Sequence, residues 1–368
     1  MLKGKFINTA KIVSVTVRPS NQKSKGGNCM KRISLLFVLG IVVAFLGICV
    51  VPLNAQTPIK INYASSLFGP THGIGKMHEE FIAELEKRTK GEVKVTYHPA
   101  GTFIPPPQMY DSIVKGIIDV GESACGYTRG RFPLTEIFDF PLGFGIAGTA
   151  VNMTRIQNAY FEKFRPKEFD DVKIILFFGQ QSQILHTKKP VRTLADYKGL
   201  RIRAAGTAAQ VPPLFGAVAI SVPATETYEV LRKGSADGIL IPPEALKGFR
   251  LAEVVKYTTK NYSSSGGAAF FLAMNKKKWD SLPAHIKKII DDMGKEFSVK
   301  YGQRWDDIDR EGLEFAKSLG NEIITLSPEE DKKWADKARP LVDDYVKRAT
   351  AKGLPGAEVV KFIDSYKK

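Results

Sequence analysis

Gly199–Pro243, GLRIRAAGTAAQVPPLFGAVAISVPATETYEVLRKGSADGILIPP, sets the fold class. Leu200-Arg201-Ile202-Arg203-Ala204 alternates apolar and charged side chains, the period-two mark of a strand with one buried face. Gly206 ends it, and Thr207 to Phe215 reads as a short helix despite Pro212-Pro213. Val218 to Val222 is a second strand. Thr225 caps a short helix whose apolar side is Tyr228, Val230 and Leu231, and Gly234 stops it. Asp237-Gly238 then turns the chain into Ile239 to Ile241, which Pro242-Pro243 halts. Strands and helices alternating on such short links predict an α/β fold with a mostly parallel sheet. Functional atoms then belong at the strand ends.

The same alternation opens the chain beyond residue 56. Ile59 to Tyr63, Val93 to Tyr97 and Ile117 to Val120 read as strands. The first helix between them carries Ile74, Met77, His78, Phe81, Ile82 and Leu85 at helical spacing. Gly121 to Pro133 follows the third strand and should face a cleft. Val172 to Phe178, Ile184 to Thr187, Phe270 to Asn275 and Asn321 to Leu326 are further strands. After Pro283 a long helix runs to about Leu319, on Ile286, Ile289, Ile290, Met293, Phe297 and Val299.

Three pieces in order (GLRIRA, ATETYEVLRKG and ADG) precede an apolar strand that ends in Asn275, with Trp279 close behind. Together they resemble the solute-binding proteins of tripartite ATP-independent periplasmic (TRAP) transporters, of the DctP type. The resemblance implies a two-domain fold like that of periplasmic binding proteins, with a cleft between the domains and a long helix spanning both. It places residues 56–179 and 268–308 in domain I, and 180–267 and 309–368 in domain II. It also implies that Arg203 grips a ligand carboxylate, a role suited to a planar, permanently charged five-donor fork.

The first 55 residues read as a leader. Met30-Lys31-Arg32, the apolar run Ile33 to Val51 and then Leu53-Asn54-Ala55 have the order of a cleaved signal peptide, 30–55. Met1 to Cys29 lacks a periodic apolar face and reads as a misplaced start. The leader holds eight basic residues and no acid, so the formal charge falls from +16 to +8 without it. The remaining lysines are interleaved with acids, which gives no nucleic-acid signature. Cys125 alone remains of three cysteines and reads as a small buried residue.

His72, just ahead of a helix, Tyr127, Phe68, Ile241 and Phe271 complete the expected ligand-binding set around Arg203. Arg129 and Arg131 offer a second anion contact or structural ion pairs. Glu226 reads as a helix-start or domain-brace residue. No HExxH, CxxC or carboxylate cluster suggests a metal, and no cofactor is expected. Ile239, Leu240 and Ile241 follow the Asp-Gly turn, and aliphatic walls disfavour a sugar acid. The expected protein is a monomeric, non-enzymatic periplasmic receptor. It hands a small organic carboxylate, preferably a monocarboxylate with an apolar or aromatic body, to TRAP membrane permease subunits. A ligand-presenting sensor subunit and an enzyme on the same fold are the alternatives.

Overall fold

The computed structural model describes residues 57–141 and 148–366, and the expected leader lies outside them. Eleven strands form two sheets among these residues. The first holds β1 (Ile59–Ser65), β2 (Val93–His98), β3 (Val120–Ala124), β4 (Val172–Gln180) and β10 (Ala268–Asn275), in the order β2-β1-β3-β10-β4. The second holds β5 (Ile184–Thr187), β6 (Arg201–Arg203), β7 (Val218–Ile220), β8 (Gly238–Ile241), β9 (Tyr257–Lys260) and β11 (Glu322–Thr325). Its order is β11-β9-β5-β8-β6-β7.

Both sheets are mixed, where the alternation predicted mostly parallel ones. β1 pairs parallel with β2 and β3, and β6 with β7 and β8. β10 runs antiparallel to β3 and β4, and β5 antiparallel to β8 and β9. The reason is connectivity. β5 and β10 are the strands by which the chain enters one sheet directly from the other, so neither has the crossover helix that parallel pairing needs. The third strand begins three residues later than expected, because Ile117 and its neighbours form the turn before it. β9, Tyr-Thr-Thr-Lys, escapes a hydrophobicity reading because two threonines fill its buried positions.

The helices of nine or more residues are α1 (Gly73–Arg88), α2 (Ala150–Phe164), α3 (Ala284–Ser318), α4 (Pro328–Ala338), α5 (Pro340–Ala351) and α6 (Gly356–Asp364). At 1.5 Å per residue, α3 is about 52 Å long, enough to lie along both lobes. Ile286, Ile290, Met293, Phe297, Tyr301, Trp305 and Ile308 form its buried stripe, whereas Val299 is half exposed. Gly294 and Gly312 let it touch each lobe. A Cβ on Gly294 would lie 2.3 Å from the Ile175 oxygen of β4, and one on Gly312 would lie 2.1 Å from the Pro243 oxygen. α4 packs Trp334 against Tyr197 and Phe215 of the second lobe. α5 and α6 reach back to the first, where Tyr345 donates to the Leu134 carbonyl (2.9 Å) and Phe362 meets Phe164.

Both hydrophobic clusters draw residues from the two lobes. The short helix in the opening stretch is Thr227–Arg232, entered through a 3₁₀ turn at Ala224–Glu226 instead of a Thr225 cap. Leu231 and Thr227 are its buried residues, so the polar face of so short an element is the larger one.

Candidate functional site

The strand ends that meet between the lobes enclose a cavity of about 70 Å³. Its wall takes Phe68 from the loop after β1, Tyr127 from the turn after β3, Arg203 from the end of β6 and Ile241 from the end of β8. Phe270 at the start of β10 and Trp305 on α3 close the apolar side. The centroids of Phe68, Phe270 and Trp305 lie 5.7–5.8 Å apart, an aromatic cluster within edge and tilted contact range.

The two arginines of β6 have opposite surroundings. Arg201 is exposed and holds Asp237 with two prongs at 3.0 and 2.8 Å. Arg203 is 2% exposed, and Nε and Nη2 both donate to the Val222 carbonyl at 3.0 and 2.7 Å. No salt bridge joins it to a carboxylate of the described residues. Burial pulls its pKa down, against the opposing pull of the Tyr127 hydroxyl and of Glu226. A buried guanidinium without a direct ion pair is a strongly anion-seeking group.

Tyr127 also joins the lobes, since its hydroxyl accepts the Ala224 N–H at 3.4 Å. The same seam holds Arg129, which donates to the Gly206 carbonyl. Arg131 is turned away, bound to Asp171 and lying 4.9 Å over the Tyr110 ring. Neither Arg129 nor Arg131 lines the cavity.

His72 lies behind the cavity wall and is not part of it. It stacks on Phe68 at 4.7 Å and caps α1 by accepting the Ile74 N–H on Nδ1 at 3.1 Å. That bond fixes the tautomer, so Nε2 carries the hydrogen and donates it to Glu244 at 2.7 Å. The pair ties the first lobe to the second, and Glu244 in turn lines the cavity. The Glu244 N–H donates to Asp309 of α3 at 2.9 Å, and burial raises the Asp309 pKa.

Phe271 is a correction. Side chains alternate along β10, so Phe270 faces the cavity while Phe271 points through the sheet to Tyr110 and Phe132. A reading one residue out of register exchanges the faces. Ile241 lines the cavity, and Ile239 and Leu240 do not. His186 sets Ile241 from behind, donating through Nε2 to its carbonyl at 3.1 Å and accepting from Thr258.

Sequence reasoning missed Phe270, Trp305, Glu244 and Asp139. Trp305 continues the buried stripe of α3, so nothing in the periodicity marks it as a cavity residue. Asp139 is buried and lines the cavity, and burial raises its pKa to about 7. Behind Phe68, Tyr63 and Tyr301 hydroxyls each lie 2.6 Å from Nδ1 of buried His78. Glu122 lies 3.7 Å from its Nε2. Burial keeps both neutral, raising Glu122 to about 8 and lowering His78 to about 3. Among the described residues no group of three His, Cys, Asp or Glu side chains could hold a metal ion.

Residues 64–349 match the family described as bacterial extracellular solute-binding protein, family 7 (DctP). A solute-binding protein of Albidiferax ferrireducens is 27% identical over 274 residues, 72% of this chain and 78% of that one. A TRAP periplasmic solute-binding protein from Desulfovibrio salexigens superposes with a TM-score of 0.74 at 31% identity. The match covers 84% of this chain and 95% of that chain, whose ligand-binding site holds the C-terminus of a symmetry mate in an open complex. A marine metagenome TRAP solute-binding protein specific for aromatic acid ligands superposes with a TM-score of 0.78 at 26% identity. That match covers 84% and 100% of the two chains, and the relative was solved with metahydroxyphenylacetate.

Proposed function

Since the chain belongs to bacterial extracellular solute-binding protein family 7, the DctP family, we propose that its cleft receives a monocarboxylate with an apolar or aromatic body. The protein is a solute receptor of TRAP transporters for small organic acids, and not an enzyme. The observation that carries the finer reading is Arg203, buried in the cavity wall with no carboxylate of the described residues within 4 Å of its guanidinium. A ligand carboxylate there supplies the missing ion pair through charge-assisted hydrogen bonds. Phe68, Phe270, Trp305 and Ile241 then receive the body of the ligand, at about 25 cal/mol gained for each Å² of apolar surface removed from water.

One guanidinium at the wall suits one carboxylate. Arg129 and Arg131 are committed to the Gly206 carbonyl and to Asp171, which weighs against a dicarboxylate. The aromatic-acid specificity of the marine relative points the same way. The cavity, about 70 Å³, is smaller than the roughly 150 Å³ that accepts benzene in an engineered core. Ligand entry therefore widens the wall or parts the lobes.

The rest of the reading extends what the resemblance implies. The lobes divide as 56–179 with 268–308 and 180–267 with 309–368, α5 and α6 of the last segment packing back on the first lobe; the leader 30–55 is removed on export, and a monomer docks on the membrane permease subunits. A thermal-shift panel tests the ligand class, because a ligand that binds only the folded state raises Tm. Aromatic and branched-chain monocarboxylates are expected to stabilise the protein more than succinate, malate or uronates. Stabilisation by the dicarboxylates or uronates alone overturns the reading.

A further inference from the structure

Arg203 accounts for one end of a ligand, and Asp139 lies in the same cavity wall. Asp139 is 4% exposed, and its Oδ2 has no hydrogen-bond partner among the described residues. Thr207 of the other lobe lies beside the carboxyl and pulls its pKa down, against the larger upward effect of burial. Oδ2 stands over the α-carbon of Gly126, where a Cβ would fall 2.3 Å from it. Only glycine at position 126 leaves that oxygen uncovered, and Gly126 is itself part of the cavity wall.

We infer that Asp139 is a second ligand contact, which accepts a hydrogen bond from a hydroxyl or N–H group of the bound acid. The inference rests on the reading of Arg203 as the carboxylate anchor, and it narrows the substrate class to acids that carry such a donor. A buried acceptor left without a partner is costly, and the cost returns whenever a ligand covers it with a C–H. A site built around a polar group discriminates far more strongly against the analogue lacking the matching donor than an apolar pocket discriminates by size. The aromatic walls set the body of the ligand, and Asp139 sets its substituent.

Calorimetric titration of the intact mature protein with benzoate and its three monohydroxy isomers tests this. At least one isomer is expected to bind the wild type about tenfold or more tighter than benzoate, in line with a hydrogen bond to an otherwise unpartnered buried group. Asp139→Leu, similar in size and without an acceptor, is expected to lose the preference, binding benzoate and the favoured isomer within about threefold of each other. Benzoate binding to the wild type without any preference among the isomers overturns the role of Asp139, and this comparison needs no variant to fold. An undiminished preference in Asp139→Leu overturns it equally. A wild type that binds none of the four acids overturns the reading of the whole site, and the role of Asp139 with it.

Discussion

Gly206 of the second lobe faces Gly126 of the first so closely that a Cβ on Gly206 would lie 2.3 Å from the Gly126 oxygen. Gly206 also has φ +57°, as does its lobe-mate Gly199 with φ +79°, but a Cβ on Gly199 meets nothing within 4 Å. The two positions separate backbone strain from interlobe contact. Gly199→Ala is expected to lower stability by about 1–2 kcal/mol, the ordinary cost of a left-handed residue, with ligand affinity intact. Gly206→Ala is expected to show the same loss and in addition a faster ligand off-rate. Small-angle scattering of the ligand-saturated variant should give a larger radius of gyration than wild type. Equal affinities for the two variants would show that the contact between the lobes at Gly126 and Gly206 does not contribute to holding the ligand.

Arg203→Lys keeps the charge and loses the fork. An ammonium cannot donate to Val222 and to a carboxylate in one plane, so affinity should fall by about 2–5 kcal/mol while the fold survives. Calorimetry on the best ligand of the thermal-shift panel measures the difference. Wild-type affinity in the lysine variant excludes Arg203 as the anchor.

Stability should decline as pH rises from 6.5 to 8. Glu122 holds its proton up to about pH 8 in the folded protein and Asp139 up to about 7. In the unfolded chain both lose it near pH 4. The native state then binds more protons than the unfolded one, and unfolding free energy falls with pH. His78 and His186, lowered to about 3 and 4, act in the opposite sense, but only below about pH 6.5, where the unfolded chain begins to protonate them. Urea unfolding midpoints across pH 6.5–8.5 measure the slope. Glu122→Gln should flatten it, and an unchanged slope in that variant would assign the effect elsewhere.

Phe270 and Phe271 separate binding from folding. Phe270→Leu is expected to weaken ligand binding by several-fold through the cavity wall. Phe271→Leu should leave binding near wild type and reduce stability through the cluster with Tyr110 and Phe132, by about 1 kcal/mol or more for the lost ring contacts. Denaturant melts beside calorimetry decide between them. A ligand-affinity loss confined to Phe271→Leu would reverse the assignment of faces.

What could be read from the chain was what depends on near neighbours. Ile59, Val93 and Ile184 begin observed strands at the expected residues, and the helix after Pro283 ends within a residue of expectation. Arg203, Tyr127, Phe68 and Ile241 fall at the cavity because each ends or follows a strand, where an α/β fold gathers its site. Other features depend on distant partners. Phe270 and Phe271 are equally apolar, and only pairing of β10 between β3 and β4 decides which faces the cleft. His72 became a bracket because Glu244, 172 residues away, meets its Nε2. α2 carries no sharp sequence signal at its start, since its first N–H groups are capped by Asp306 from α3 as well as by Thr149.

The position of β10 has a consequence for biogenesis. It is an interior strand of the first sheet, yet it is supplied by residues 268–275, after most of the second lobe has left the ribosome. The β5-β8-β6-β7 half of the second sheet is by contrast complete within residues 184–241. Until residue 275 emerges, β3 and β4 each present an unpaired edge, the kind of surface that joins other chains. The first lobe is thus the later one to mature, and its exposed intermediate is the form that chaperones would have to shield.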